Sequence, residues 1–141
     1  MASEDLNTLF EAALAFAEHM LLGHGEFLPF GVQMGSDGGV GQVSVEPGTG
    51  QPGAAGLVAD LQSAFVEAAH AGTLRAAGIC LDMRITPPGA EQQTDAICVR
   101  LAHVSGEAVE VFVPYHRDAA GVLHTGQPFA AAAGVFRLAA G

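Results

Sequence analysis

The stretch of sequence that most constrains the fold is a pair of apolar runs over residues 94–104 and 107–116. A three-residue turn of Val104, Ser105 and Gly106 would join them, with Gly106 in the left-handed conformation that bulged hairpins favour. The register that follows opposes Leu101 with Val109, Val99 with Val111, Ile97 with Val113, and Arg100 with Glu110. Because one register satisfies the turn, the core and the charges, the sequence predicts an antiparallel hairpin here.

The other hydrophobic periodicities add two amphipathic helices and three more strands. The predicted helices cover 4–22 and 54–71, and the predicted strands cover 28–34, 40–45, 76–85, 94–104 and 107–116. Gly23 and Gly72 are expected to end the helices. A two-residue turn of Asp37 and Gly38 predicts that Val32 opposes Val43 in the first hairpin.

The element order is therefore α-β-β-α-β-β-β, with strands in runs rather than in strict alternation with helices. This order predicts an α+β fold with a single antiparallel sheet of about five strands and two helices on one face. Residues 1–141 are expected to form a single domain. Residues 127–141 are expected to be a loosely packed tail that begins with a helical turn over 127–133. The order resembles that of profilin-like and roadblock-type proteins, which bind peptides, small ligands or sister subunits.

The charge composition argues against a nucleic-acid partner. The chain has fifteen acidic residues, five arginines and no lysine, which gives a formal net charge of −10. Affinity for nucleic acid comes mostly from cations that neutralise phosphates, so a nucleic-acid partner is not expected. The excess of acidic residues is expected to keep the protein in solution, and the alternative is that it attracts a basic protein partner.

The sequence also predicts a cytoplasmic protein with no membrane contact. Its N-terminus is acidic rather than basic, and no apolar run reaches the length of a membrane span. Cys80 and Cys98 lie inside apolar runs, and we expect both to be free, buried thiols.

The usual catalytic, nucleotide-binding and metal-binding motifs are absent from the sequence, so no cofactor is predicted. Two sets of residues remain as candidates. Pairing Asp82 near Cys98 would put a mixed charged and aromatic set on the second sheet face, as a surface for a protein partner or a second copy of the chain. That set is Asp82, Arg84, Arg100, Glu110 and Phe112.

The second candidate is a cluster at one end of the sheet. A hairpin through Asp118 and Gly121 would bring His124 near His116, and strand pairing places His116 near Asp95. The candidate metal or ligand set is Asp95, Tyr115, His116 and His124. A polar rim where strands meet solvent would produce the same pattern.

Three segments carry a resemblance to other sequences: EFLPFG at 26–31, TDAICVR at 94–100 and VFVPY at 111–115. They look like parts of a group of small uncharacterised bacterial α+β proteins with no assigned activity. The resemblance implies a bacterial origin and a single domain, and it implies no catalytic residue.

The functional prediction is a non-enzymatic protein-binding module, of an adaptor or immunity type, that binds a protein partner or forms a homodimer. The alternative is a small-ligand or metal-binding enzyme that uses the Asp and His residues at the sheet end.

Overall fold

The computed structural model describes residues 2–44, 54–87, 89–132, 136 and 138. Its helices are α1 (Ala2–His24) and α2 (Ala54–His70), and its strands are β1 (Phe30–Gly35), β2 (Val40–Val43), β3 (Leu74–Ile85), β4 (Thr94–His103), β5 (Ala108–Arg117), β6 (Leu123–Thr125) and β7 (Phe129–Ala132). The predicted α+β class with one antiparallel sheet is confirmed. Within the described ranges the sheet has seven strands, rather than about five.

The sheet runs in the order β2-β1-β3-β4-β5-β6, and β7 lies beside β6 along the same edge of β5. One half of β5 pairs with β7, and the other half pairs with β6. The helical turn predicted over 127–133 is wrong for Phe129–Ala132, which form β7. The free edge of β5 supplies backbone partners there, and Phe129 stacks on Phe112 with ring centroids 5.3 Å apart. The remaining residues of the predicted tail, except Phe136 and Leu138, lie outside the described ranges.

The two helices lie on opposite faces of the sheet, not on one face as the sequence suggested. Ala76 and Cys80 of β3 belong to the core packed under α1, while Ala77 and Ile79 belong to the core packed under α2. Successive residues of a strand point to opposite faces, so β3 is apolar on both sides. A strand that is apolar on both sides is stable only when both faces are covered.

The helix ends are set by glycines. α1 continues past Gly23, and Gly25 ends it with a φ of 81° and a backbone N–H that donates to the carbonyl of Leu21 at 2.9 Å. Gly72 ends α2 as predicted, with a φ of 79°. Both glycines adopt the left-handed conformation that closes helices without steric cost.

The β4–β5 hairpin has the register that the sequence predicts, with Arg100 opposite Glu110 and Gly106 at a φ of 102°. The β1–β2 hairpin differs from its prediction by one residue, because its loop has three residues and ends at Gly38, which has a φ of 93°. Gly31, rather than Val32, therefore opposes Val43.

In the described part of the chain, no helix is both long enough and apolar enough to cross a membrane.

Candidate partner-binding site

The structure divides the predicted partner-binding set between the two faces of the sheet. Asp82 opposes Ile97 across the β3–β4 pair, and not Cys98 as predicted. Asp82 and Arg84 therefore share the α1 face, while the rest of the set lies on the α2 face; these are Arg100, Glu110 and Phe112. A register shift of one residue moves every side chain of a strand to the other face, which is the physical reason for the error.

On the α2 face, a compact polar cluster lies next to an aromatic pair. Nε of Arg100 donates to Oε2 of Glu110 at 2.9 Å, and the Cys98 thiol donates to the same oxygen at 3.3 Å. Phe112 and Phe129 stack directly beside this cluster. Burial, and then the charge of Glu110, raise the pKa of Cys98 to about 12. The thiol therefore stays protonated near neutral pH, which removes it as a nucleophile.

On the α1 face, Asp82 accepts a hydrogen bond from the hydroxyl of Tyr115 at 2.5 Å. Burial raises the pKa of Asp82, although the bond from Tyr115 opposes that effect. Burial, followed by the bond and charge of Asp82, raises the pKa of Tyr115 well above its usual value. Nearby, Nη1 of Arg84 lies 4.0 Å from Oδ1 of Asp95, and both side chains are largely in solvent.

The residues of the predicted sheet-end cluster do not meet at one point. His116 and His124 oppose each other across β5 and β6 and stack with ring centroids 5.0 Å apart, so the predicted hairpin is confirmed. Nε2 of His124 lies 2.8 Å from Oδ2 of Asp118. Tyr115 and Asp95 lie on the opposite face of the sheet from this pair, since His116 follows Tyr115 in the strand. Over residues 2–44, 54–87, 89–132, 136 and 138, no group of three or more His, Cys, Asp or Glu side chains has a geometry suited to a metal ion.

A polar contact that no sequence pattern indicated joins α1 to β4 through Asp5 and His103, and we call it the Asp5–His103 lock. Nε2 of His103 lies 2.9 Å from Oδ2 of Asp5, and the backbone N–H of Ser105 donates to Nδ1 of the same ring at 3.0 Å. Because Nδ1 accepts a hydrogen bond, we assign the ring proton to Nε2, which donates to Asp5. That bond is the largest contribution that lowers the pKa of Asp5. No local sequence signal could have indicated a contact between residues 98 positions apart.

Beside this lock is an open, mainly apolar groove of about 700 Å³ between α1 and β5. α1 contributes Leu6, Asn7 and Phe10; the strands and the turn between them contribute Leu101, Gly106, Glu107, Ala108, Val109 and Val111. We call this surface the α1–β5 groove. Val109 and Val111 remain partly exposed in it, although both belong to the apolar face of the β4–β5 hairpin.

The groove exists because α1 covers only part of its sheet face. α1 packs mainly on β4, β3 and β1, with a smaller contact to β2. The part of β5 that stays open is its N-terminal half, where Val109 and Val111 are partly exposed. In its C-terminal half, by contrast, Val113 and Tyr115 are buried. Ala130 of β7 opposes Val111 and is exposed, so the uncovered surface continues onto β7. The sequence predicted the β5 valines correctly as one apolar face, but not that a helix would leave them open.

The fold and these sites define an α+β protein with an antiparallel sheet that is only partly covered on its α1 side. Comparison of the chain with family models, curated proteins and solved structures found no match.

Proposed function

We propose that this chain is a non-enzymatic protein-binding module of the cytoplasm, of an adaptor or immunity type, and that the α1–β5 groove is its contact surface. The observation that carries the proposal is the groove itself, an open apolar surface on a face that is otherwise packed. Partly exposed apolar surface with a polar rim is typical of sites that another polypeptide covers.

Three titratable groups outside the groove support binding rather than catalysis, because each makes a hydrogen bond within the fold. The hydroxyl of Tyr115 is bonded to Asp82, and Nε2 of His103 is bonded to Asp5. The Cys98 thiol is protonated and bonded to a carboxylate. Each of these groups would have to break a structural contact before acting on a substrate.

The test is native mass spectrometry of three forms of the protein, each purified gently from its own host: the parent, Val111→Thr and Val40→Thr. Val111→Thr replaces a methyl group with a hydroxyl on the groove floor, and Val40→Thr makes the same change on β2, where Val40 is 42% exposed and outside the groove. We expect a complex with a second protein, or with a second copy of the chain, that survives Val40→Thr and is lost in Val111→Thr. A complex that both variants retain would contradict the groove as the contact surface.

A small-ligand or metal-binding enzyme is the second candidate, and the stacked pair of His116 and His124 is the observation that favours it. Two imidazoles on one face of a hairpin can both bind a zinc ion. Stoichiometric metal in the purified protein, lost in His116→Ala and in His124→Ala, would support this candidate. If the purified protein is metal-free and both variants fold as the parent does, the metal-binding candidate is ruled out.

A further inference from the structure

We infer that the occupant of the α1–β5 groove is an amphipathic helix of a partner protein, with lysine or arginine residues on its polar side. This inference rests on the proposed function and adds the class of partner. Three features of the groove carry it: its width, its apolar floor and the charge of its rim.

The width of the uncovered surface matches one helix. The uncovered surface consists of β7 and the half of β5 that pairs with it, which together are two strands wide, or about 10 Å at the usual strand spacing. Val113 and Tyr115 in the other half of β5 are buried. Packed helices lie 8–10 Å apart, axis to axis, in most proteins. A helix beside α1 would therefore rest on β5 and β7 and complete the layer that α1 begins.

The floor and wall supply the apolar contacts that such a helix needs. Val109 and Val111 form the floor, and Leu6 and Phe10 of α1 form the wall. Helices that dock in grooves use apolar side chains spaced at i, i+3, i+4 and i+7, which form a single stripe along one side. An extended strand would bury less of the wall, because alternate side chains would point away from it.

One acidic residue lines the rim of the groove, and two more lie close to it on α1. Glu107 lines it on the strand side, and Asn7 lines it on the helix side. Glu4 and Glu11, both exposed, lie three and four residues from Asn7 and so extend the same strip of α1.

None of the arginines of the described ranges lines the groove. Arg75 donates to the carbonyl of Ser36 and lies 3.8 Å from Asp5, Arg84 lies beside Asp95, Arg100 is on the opposite face, and Arg117 ends β5 at its far end. The chain also has no lysine. An acidic rim around an apolar floor is complementary to a helix with an apolar stripe and flanking cations.

The experiment uses two synthetic helical peptides of about 18 residues, a length at which isolated helices become stable. One carries a leucine stripe with lysines on the other side, and its match carries glutamates in place of the lysines. Binding is followed by amide chemical shifts of the isotope-labelled, full-length protein. We expect the lysine peptide to shift Phe10, Val109 and Val111 and to bind on the order of tenfold more tightly than the glutamate peptide.

A charge-reversal pair tests the rim. Glu107→Lys changes the groove, and Glu91→Lys makes the same change of net charge in the β3–β4 connection, where Glu91 is exposed. We expect Glu107→Lys to weaken binding of the lysine peptide by roughly threefold, and Glu91→Lys to leave it within error of the parent. Val111→Thr should weaken the binding of both peptides.

Two results would overturn the inference: equal affinity for the two peptides, or shifts that map outside the groove. The proposed function is judged separately, by whether Val111→Thr releases the partner found in the host. If the lysine peptide shows no preferential binding in the groove while Val111→Thr still releases the host partner, that result would keep the groove as a contact surface and show that a basic helix is the wrong occupant.

Discussion

Substituting Gly31 by alanine should destabilise the protein through a single steric conflict. A Cβ atom at Gly31 would lie 2.5 Å from Cζ of Phe65 and 3.2 Å from Cδ2 of Leu61. Both partners are buried in the core under α2, where Phe65 is 1% exposed, so the ring has little room to move. Inserting a methyl group into a packed core costs about 1–3 kcal/mol, and alanine recovers about 0.4–1 kcal/mol by restricting the unfolded chain. The net loss should be about 1–2 kcal/mol.

Urea unfolding followed by circular dichroism would measure this loss as a lower transition midpoint at unchanged slope. Gly41→Ala is the matched control, since Gly41 lies in the partner strand β2 and its added Cβ would have no heavy atom within 4 Å. We expect that control to equal the parent or exceed it by about 0.5 kcal/mol. The reasoning is refuted if Gly31→Ala is as stable as the parent, or if the two variants lose the same amount.

Three further predictions concern hydrogen-bonded titratable groups. Because the pKa of Cys98 is raised to about 12, a thiol reagent near neutral pH should modify it only after the protein is unfolded, which mass spectrometry in and out of urea can show. Tyr115→Phe removes the hydrogen bond to Asp82, so a carboxyl NMR titration should show the pKa of that carboxyl raised further. The same substitution should lower the free energy of unfolding by about 1–2 kcal/mol. The pKa of Asp5 is lowered in the fold by the bond from His103, so its contribution to stability is present above the usual carboxyl pKa and is lost as pH falls through the lowered value. Asp5→Asn should therefore reduce the loss of stability on acidification from neutral pH to about pH 3; an unchanged loss would contradict the assignment.

The parts of the fold that could be predicted from the sequence are those with local turn chemistry. The β4–β5 hairpin followed from its glycine turn and its matched apolar and charged pairs, and its register is as predicted. The β3–β4 register could not be fixed in this way, because residues 86–93 join those strands without a short turn signal. The middle of each strand is also buried on both faces, over 76–80 in β3 and 96–99 in β4. A continuous apolar run has no alternation that could mark which residues share a face.

Because the strand centres are apolar on both faces, the sequence also did not show on which faces the two helices pack, and so it did not indicate the α1–β5 groove. Strands whose residues are apolar on both faces indicate that both faces of the sheet are covered. The prediction of two helices on one face did not take this into account. The β3–β4 register, which pairs Asp82 with Ile97, places Asp82 and Arg100 on opposite faces, so they do not belong to one surface. The groove depends on how far α1 reaches across the sheet, and that distance is a property of tertiary packing, not of any local pattern.

The Asp5–His103 lock also bears on the order in which the protein folds. The β4–β5 hairpin closes through a three-residue loop, and hairpins of this kind form in about 1–10 μs. The lock joins residues 98 positions apart, so its closure costs far more chain entropy and should follow strand pairing. We therefore expect the first turn of α1 to dock late and to be mostly undocked in the folding transition state. A partner seated against that turn would slow unfolding while leaving the rate of folding almost unchanged.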